Sequence, residues 1–342
     1  MDSGASTIER PEPAIIDFVA RSGLVQLGAN ARFERLPGGV SSDIWLVRSG
    51  PAAFCVKRAL PQLRVAADWQ APIERNTKEV AWIKAVTGFM PEAVPSLLAE
   101  DAEAGMFGMD YLPPGVFEDW KAQLHRGHVI PATAIEVGHR LVRIHRKFAR
   151  SAAAAAEFAT DAIFHAIRLE PYLLATARVH PDRAAALEEL AQTTARTRLT
   201  LVHGDVSPKN ILVGPRGPVF IDAECAWFGD PAFDLAFCLN HLLLKCLWVP
   251  PAARQLLAAF HSLAEIYLSG VDWEPRETLD RRTAKLLPGL FLARIDGKSP
   301  VEYLTEARDK DTVRRVARSL LARPPHGLTE IRRAWADEIH AI

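Results

Sequence analysis

The sequence predicts an α+β chain in two unequal parts: a small first part with an antiparallel sheet, and a larger, mostly helical second part. Three observations carry that expectation. Short β-rich runs broken by turn residues fill the chain up to Leu112. Beyond Pro113 the apolar residues recur mostly at helical spacing. One stretch inside that helical part, LVHGDVSPKNILVGPRGPVFIDAECAWFGDPAFD over 201–234, reads as two short strands in a hairpin. The boundaries expected are a tail over 1–13, a first part over 14–112 and a second over 113–342.

A length of 342 residues leaves ample room for a buried core. Lys and Arg number 41 and Asp and Glu 41, giving a formal net charge of +0. That balance offers no electrostatic footprint for nucleic acid or a membrane surface, so neither is expected as a partner. Cys55, Cys225, Cys238 and Cys246 form no C-x-x-C pair and read as reduced core thiols. The longest apolar stretch, 233–249, is interrupted by Asp234, Asn240, His241 and Lys245, which argues for a buried helix over a membrane span. With a polar beginning in place of an apolar leader, the expectation is a soluble, cytoplasmic protein; its oligomeric state stays open.

In chain order, Ala14 to Val25 suits a helix with Ile15, Phe18, Val19 and Leu24 apolar. Phe33–Leu36, a turn at Pro37-Gly38-Gly39, Val40–Asp43 and Ile44–Val47 read as a strand, a tight turn and a strand. A hairpin of this kind can lie over phosphates, with backbone N–H groups and the Ser41 and Ser42 hydroxyls as donors. Phe54 to Lys57 is a short apolar strand closed by Lys57. A helix over Arg75 to Val86 carries Glu79, Ile83 and Val86 on one face, with Glu74 just before it. Met106 to Leu112 is a strand ended by Pro113-Pro114-Gly115, where the two parts divide. Helices follow at Ala132–Phe148, Ser151–Phe158 and Leu187–Thr197, then near 233–247, 252–268, 277–295, 311–322 and 328–340.

The hairpin at 201–234 holds the chemistry. Leu201 and Val202 end in His203-Gly204-Asp205, Asn210 follows five positions after Asp205, and the returning strand Val219–Ile221 delivers Asp222. Three side chains thus gather near one point, and the set suits phosphoryl transfer, in which a protein mainly positions groups and neutralises charge. Mg²⁺ takes hard oxygen ligands and only one or two from protein, which Asn210 and Asp222 supply. Asp205 is left to accept a hydroxyl proton from an acceptor.

These residues resemble the aminoglycoside phosphotransferase and choline kinase-like family of small-molecule kinases. H-G-D-x-x-x-x-N appears at His203 to Asn210, an I-D-x-E strand at Ile221 to Glu224, and G-D-P-x-x-D-L-A at Gly229 to Ala236. Protein kinases carry the related H-R-D-x-x-x-x-N and D-F-G. The resemblance implies a bilobal protein-kinase-like fold, ATP with Mg²⁺, and a hydroxyl on a small molecule as acceptor. It further implies that Lys57 holds the ATP phosphates with Glu79 as its ion-pair partner (Glu74 is the competitor) and that His203 braces the loop. The backbone of Asp110 and Leu112, beside Met109, would bind adenine. Asp230 or Asp234 would cap the next helix and brace the catalytic loop. Gly229-Asp230-Pro231 follows Asp222 almost at once, leaving no room for the long activation segment and A-P-E element of a protein kinase.

Two further stretches, Val56 to Trp69 and Arg294 to Tyr303, resemble the methylthioribose kinase branch, in which an Arg pair helps to hold the sugar; here Ala293 precedes Arg294, so one of the pair is missing. Glu224 is a candidate beside the metal or substrate. For a cationic acceptor, Trp227, Trp248, Glu118 and Asp119 are among the candidate aromatic and acidic walls, and surface carboxylates and core tryptophans explain them equally well. The sequence-based reading is therefore an ATP-dependent kinase for a sugar-like, amino alcohol or aminoglycoside acceptor. The alternatives are a non-catalytic nucleotide-binding scaffold of the same fold and a protein kinase.

Overall fold

Residues 10–25, 31–36, 42–60 and 74–340 are described by the computed structural model, and the chain divides into two units, Met1–Pro113 and Pro114–Ile342. The expected turn at 37–39 and Ser41 lie outside the described residues, as do 61–69 of the Val56–Trp69 stretch.

In the first unit, strand alternation decides what each face of the sheet meets. Strands β1 (Arg32–Arg35), β2 (Ser42–Ser49), β3 (Ala52–Ala59), β4 (Leu97–Asp101) and β5 (Met106–Asp110) form one sheet in the order β1-β2-β3-β5-β4. Every neighbouring pair is antiparallel. Successive side chains point to opposite faces. Phe54 and Val56 therefore share a face and join a core with Trp45, Val47 and Met106. Helix α1 (Pro13–Arg21) covers that core with Ile15, Phe18 and Val19, whose spacing makes one apolar stripe behind a proline in the first turn. Cys55 and Lys57 face the other way, where helix α2 (Arg75–Thr87) brings Glu79 to Lys57. Strand β3 does not close at Lys57, as the sequence suggested, but runs on to Ala59. Arg58 can stay in it because its guanidinium pairs with Glu12 at 2.5 Å and Asp43 at 3.7 Å.

The second unit is mostly helical, with two small sheets set into it. Strand β6 (Glu118–Asp119) pairs with β8 (Ile211–Gly214), which pairs with β9 (Gly217–Phe220); β7 (Thr200–Val202) pairs with β10 (Trp227–Gly229). Helices α3 (Trp120–His125), α4 (Pro131–Phe148), α5 (Ala152–Glu157) and α6 (Asp161–Phe164) lead into a π-helical run, His165–Leu174, with Pro171 inside it. Then come α7 (Ala175–Val179), α8 (Ala184–Arg196), α9 (Pro231–Trp248), α10 (Ala253–Ser269), α11 (Arg276–Asp296), α12 (Ala307–Ala322) and α13 (Leu328–His340).

Caps follow the local chemistry. Asp119 accepts from the Ala122 N–H at the start of α3, and Ser151 from the Ala154 N–H at the start of α5. Helix α9 is the centre of the unit: every residue from Pro231 to Cys246 is buried, and it packs against α10 and α11. A helix that is apolar nearly all round has to be enclosed in this way. Among the described residues no helix is long and apolar enough to cross a membrane.

Phe233, with 0% of its surface exposed, stacks on Phe237 and meets Phe164 edge to face at 4.9 Å. Phe233→Ala is expected to cost about 3–5 kcal/mol of stability, read as a lower denaturant midpoint with an unchanged m-value.

Candidate active site

In the second unit, β7 is fully buried and its end delivers His203-Gly204-Asp205. The β8–β9 hairpin pairs Ile211 with Phe220, and one step further the Ile221 N–H donates to the Asn210 carbonyl at 3.0 Å. Asn210 therefore stands across from the residue that precedes Asp222. The Asn210 side-chain N–H donates to the Asp205 backbone carbonyl at 3.0 Å, so its amide oxygen is the end suited to a cation. Asp222 holds a left-handed backbone, φ 66°, uncommon for a residue with a side chain.

Asp205 is 5% exposed and not alone. Its carboxylate takes the Arg168 guanidinium at 2.9 Å and has the Lys209 ammonium at 3.4 Å. Arg168 also donates to the backbone carbonyls of Gly204 at 2.5 Å and Ile167 at 2.6 Å, which ties the π-helical run to the loop. Burial, the largest single influence, would lower the Arg168 pKa, but the charge of Asp205 together with Cys225, Tyr172 and Glu224 raises it, and the net shift is upward. Asp205 also raises that of Lys209.

His203 is enclosed, and burial lowers its pKa. Its Nδ1 lies 3.2 Å from the Asp205 N–H and its Nε2 3.1 Å from the Ile221 carbonyl. A neutral ring that accepts at Nδ1 and donates at Nε2 satisfies both contacts. The two roles that the sequence left shared between Asp230 and Asp234 fall to different residues. Asp230 caps α9 through the Ala232 N–H at 2.9 Å. Asp234, one turn on, accepts the N–H groups of His203 at 2.7 Å and Gly204 at 2.8 Å.

In the first unit, Lys57 Nζ meets Glu79 Oε2 at 2.6 Å with both side chains 2% exposed, while Glu74 stands exposed ahead of α2. Met109 and Asp110 end β5 and Leu112 follows it. The Asp110 N–H donates to the Ser96 carbonyl at 3.0 Å. Ser42 lies in β2 with its hydroxyl enclosed and, among the described residues, unpartnered.

Of the residues suggested for the acceptor, Glu224 is 7% exposed and lies within electrostatic reach of Arg168. Arg294 donates to the Tyr172 hydroxyl at 3.2 Å and to Ser299. Trp227 does not join them: it is 1% exposed, stacks on Phe164 and gives its indole N–H to Asp161 at 2.8 Å. Sequence reasoning missed Arg168, and no spacing could have found it. It also passed over Ser207, two residues after Asp205, whose buried hydroxyl has no partner among the described residues.

The family model described as "Phosphotransferase enzyme family" matches residues 32–267. Methylthioribose kinase 1 of Oryza sativa subsp. japonica is 24% identical over 230 residues, covering 59% of this chain and 53% of that one. Methylthioribose kinase of Escherichia coli O45:K1 (strain S88 / ExPEC) is 26% identical over 234 residues, 59% of this chain and 54% of that one. The chain thus spans about half the length of the curated relatives it matches. Amicoumacin kinase hAmiN, solved in complex with AMP-PNP, Ca²⁺ and Ami, superposes with a TM-score of 0.55 at 12% identity, covering 93% of this chain and 95% of that one. That likeness shows the fold, which is protein-kinase-like with an antiparallel sheet and a mostly helical remainder.

Gly204 sits at φ +79°, and a Cβ there would stand 2.5 Å from the Cys225 carbonyl oxygen. Gly204→Ala is expected to cost about 1–3 kcal/mol, measured by chemical denaturation, because neither the backbone nor the Cys225 carbonyl can give way.

Proposed function

Because the chain belongs to the phosphotransferase enzyme family, we propose that it is an ATP- and Mg²⁺-dependent kinase that phosphorylates a hydroxyl of a small molecule. The observation that carries this reading is the single loop and hairpin on which Asp205, Asn210 and Asp222 are set. Asn210 is bonded to the Asp205 carbonyl and paired with the residue next to Asp222.

Asp205 is the base. Its carboxylate accepts the proton of the acceptor hydroxyl, and Arg168 fixes its orientation. The Asn210 amide oxygen and the Asp222 carboxylate are a donor set of hard oxygens, which fits Mg²⁺. The bound metal supplies charge neutralisation on the transferring group. Lys57, held by Glu79, presents a fixed ammonium to the nucleotide phosphates. The backbone of Asp110 and Leu112, beside Met109, binds adenine, and the Ser42 hydroxyl is a donor for the phosphates. His203 stays neutral and holds the loop to Ile221. The relatives named methylthioribose kinase favour a sugar-like acceptor among the sugar, amino alcohol and aminoglycoside classes.

Asp205→Asn keeps the size of the side chain and removes the base. It is expected to lower turnover by about a hundred- to ten-thousand-fold while Mg·ATP still binds, as read by ADP release and by calorimetry. Wild-type turnover in that variant would remove Asp205 from the role.

A further inference from the structure

The second unit holds positive charge that the chemistry above does not use. Lys245 is 1% exposed and Arg294 7% exposed, yet among the described residues neither has a carboxylate at ion-pair distance. The Lys245 ammonium meets only the Tyr303 hydroxyl at 3.5 Å and the ring faces of Tyr303 and Trp248, at 4.4 and 5.5 Å. Arg294 uses Nη1 on Tyr172 and Ser299, while its buried Nε has no partner at all. His241, one turn before Lys245 on α9, shares the Tyr303 hydroxyl at 3.2 Å.

This cluster is continuous with the catalytic loop. Tyr172 lies between Arg294 and Arg168, whose guanidinium carbons stand 5.6 and 5.7 Å from its ring, and Arg168 reaches Asp205 at 2.9 Å. The nearby carboxylates are engaged elsewhere: Glu302 pairs with Lys121, and Asp119 caps α3. Two enclosed cations without counter-ions are unfavourable, and an anion set against them relieves that cost. An amino alcohol or aminoglycoside would bring like charge to the same place.

We propose that Lys245, beside the Tyr303 hydroxyl, and Arg294, beside the Tyr172 hydroxyl, form an anion subsite for the acceptor, so that the acceptor carries a carboxylate or phosphate group besides its hydroxyl. The proposal names the acceptor class of the kinase reading and depends on it for the role of that anion.

Burial first, then the charge of Lys121, bring the Lys245 pKa down to about 7; Arg294 pushes the same way, and Glu302 and Asp119 oppose it. His241 is held neutral by burial and by the cations around it. Tyr303 and Trp248 add no charge in this range, since burial raises the Tyr303 pKa. Lys245 is thus charged below about pH 7 and neutral above it, and affinity for an anion falls as pH rises.

The test uses the full chain and matched three-, five- and six-carbon polyols. The neutral compound, its carboxylate, its phosphate ester and its amine share each scaffold. Calorimetry reads binding, and ADP release with Mg·ATP reads transfer. The expected result is a carboxylate or phosphate member bound about tenfold or more tighter than its neutral parent, with affinity falling by up to about tenfold between pH 6 and pH 8. Lys245→Arg, which stays charged, flattens that pH dependence, and Arg294→Gln weakens the anionic member alone. The two anionic arms tell carboxylate from phosphate. ADP release with neutral or amine members, and no preference for anions, overturns the subsite and leaves the kinase standing. Anion binding with the expected pH dependence but no ADP release with any compound upholds the subsite and removes the kinase reading. Absence of binding by every anionic member overturns the subsite.

Discussion

A carboxylate with 0% exposure survives in a folded chain only when its lone pairs are answered, and at Asp234 they are answered by the catalytic loop itself. The N–H groups of His203 and Gly204 point at its two oxygens, and His145 Nε2 lies 3.2 Å from one of them. The charge sits in the first turn of α9, where the helix dipole favours it. His145 is held in turn by the Tyr267 hydroxyl at 2.5 Å, and its carbonyl by the Thr200 hydroxyl at 2.5 Å. Helices α4, α9 and α10 and strand β7 therefore meet at one buried anion. Asp205 leaves that junction in a fixed direction, and Asn210 hangs from the Asp205 carbonyl.

Strain at the neighbouring Asp222 belongs to the same network. A non-glycine residue at φ 66° costs about 1–3 kcal/mol and persists where its surroundings over-determine it. The residue before it is gripped from both sides: the Ile221 N–H donates to Asn210 and the Ile221 carbonyl accepts from His203. The backbone that aims Asp222 is thus set by Asn210 and His203, whose own positions trace back to the Asp234 carboxylate.

How much of this is legible in the sequence depends on how local the cause is. Asp205, Asn210 and Asp222 can be grouped by reading alone, because a strand end, a short loop and a hairpin lie between them. Arg168 cannot. It lies in a π-helical run that includes Pro171 and reaches Asp205 from there, and no apolar period announces that run. Lys245 reads as an interruption of an apolar run, which locates a charge but not its enclosure or its lack of a counter-ion. Trp227 reads equally as a ligand wall or a core residue, and its packing on Phe164 and its bond to Asp161 make it core. Strand β3 outruns its apolar letters because Glu12 and Asp43, distant in sequence, make Arg58 acceptable there. The long helices of the second unit are the most legible elements: α4 and α12 each carry one apolar stripe, and α9 a nearly unbroken apolar run.

The passage from Asp222 to α9 is short and entirely engaged. Residues 223–230 are all buried, the Ala226 N–H closes a turn on the Ala223 carbonyl, β10 is hydrogen-bonded to β7, and Asp230 caps the helix. Kinases governed by phosphorylation keep a long, disorderable segment at this point, which new Arg–phosphate pairs then order. Here the same stretch is a structural joint, buried along residues 223–230 and hydrogen-bonded to β7. Residues 223–230 also include no Ser, Thr or Tyr, so this stretch offers no hydroxyl for a phosphoryl mark.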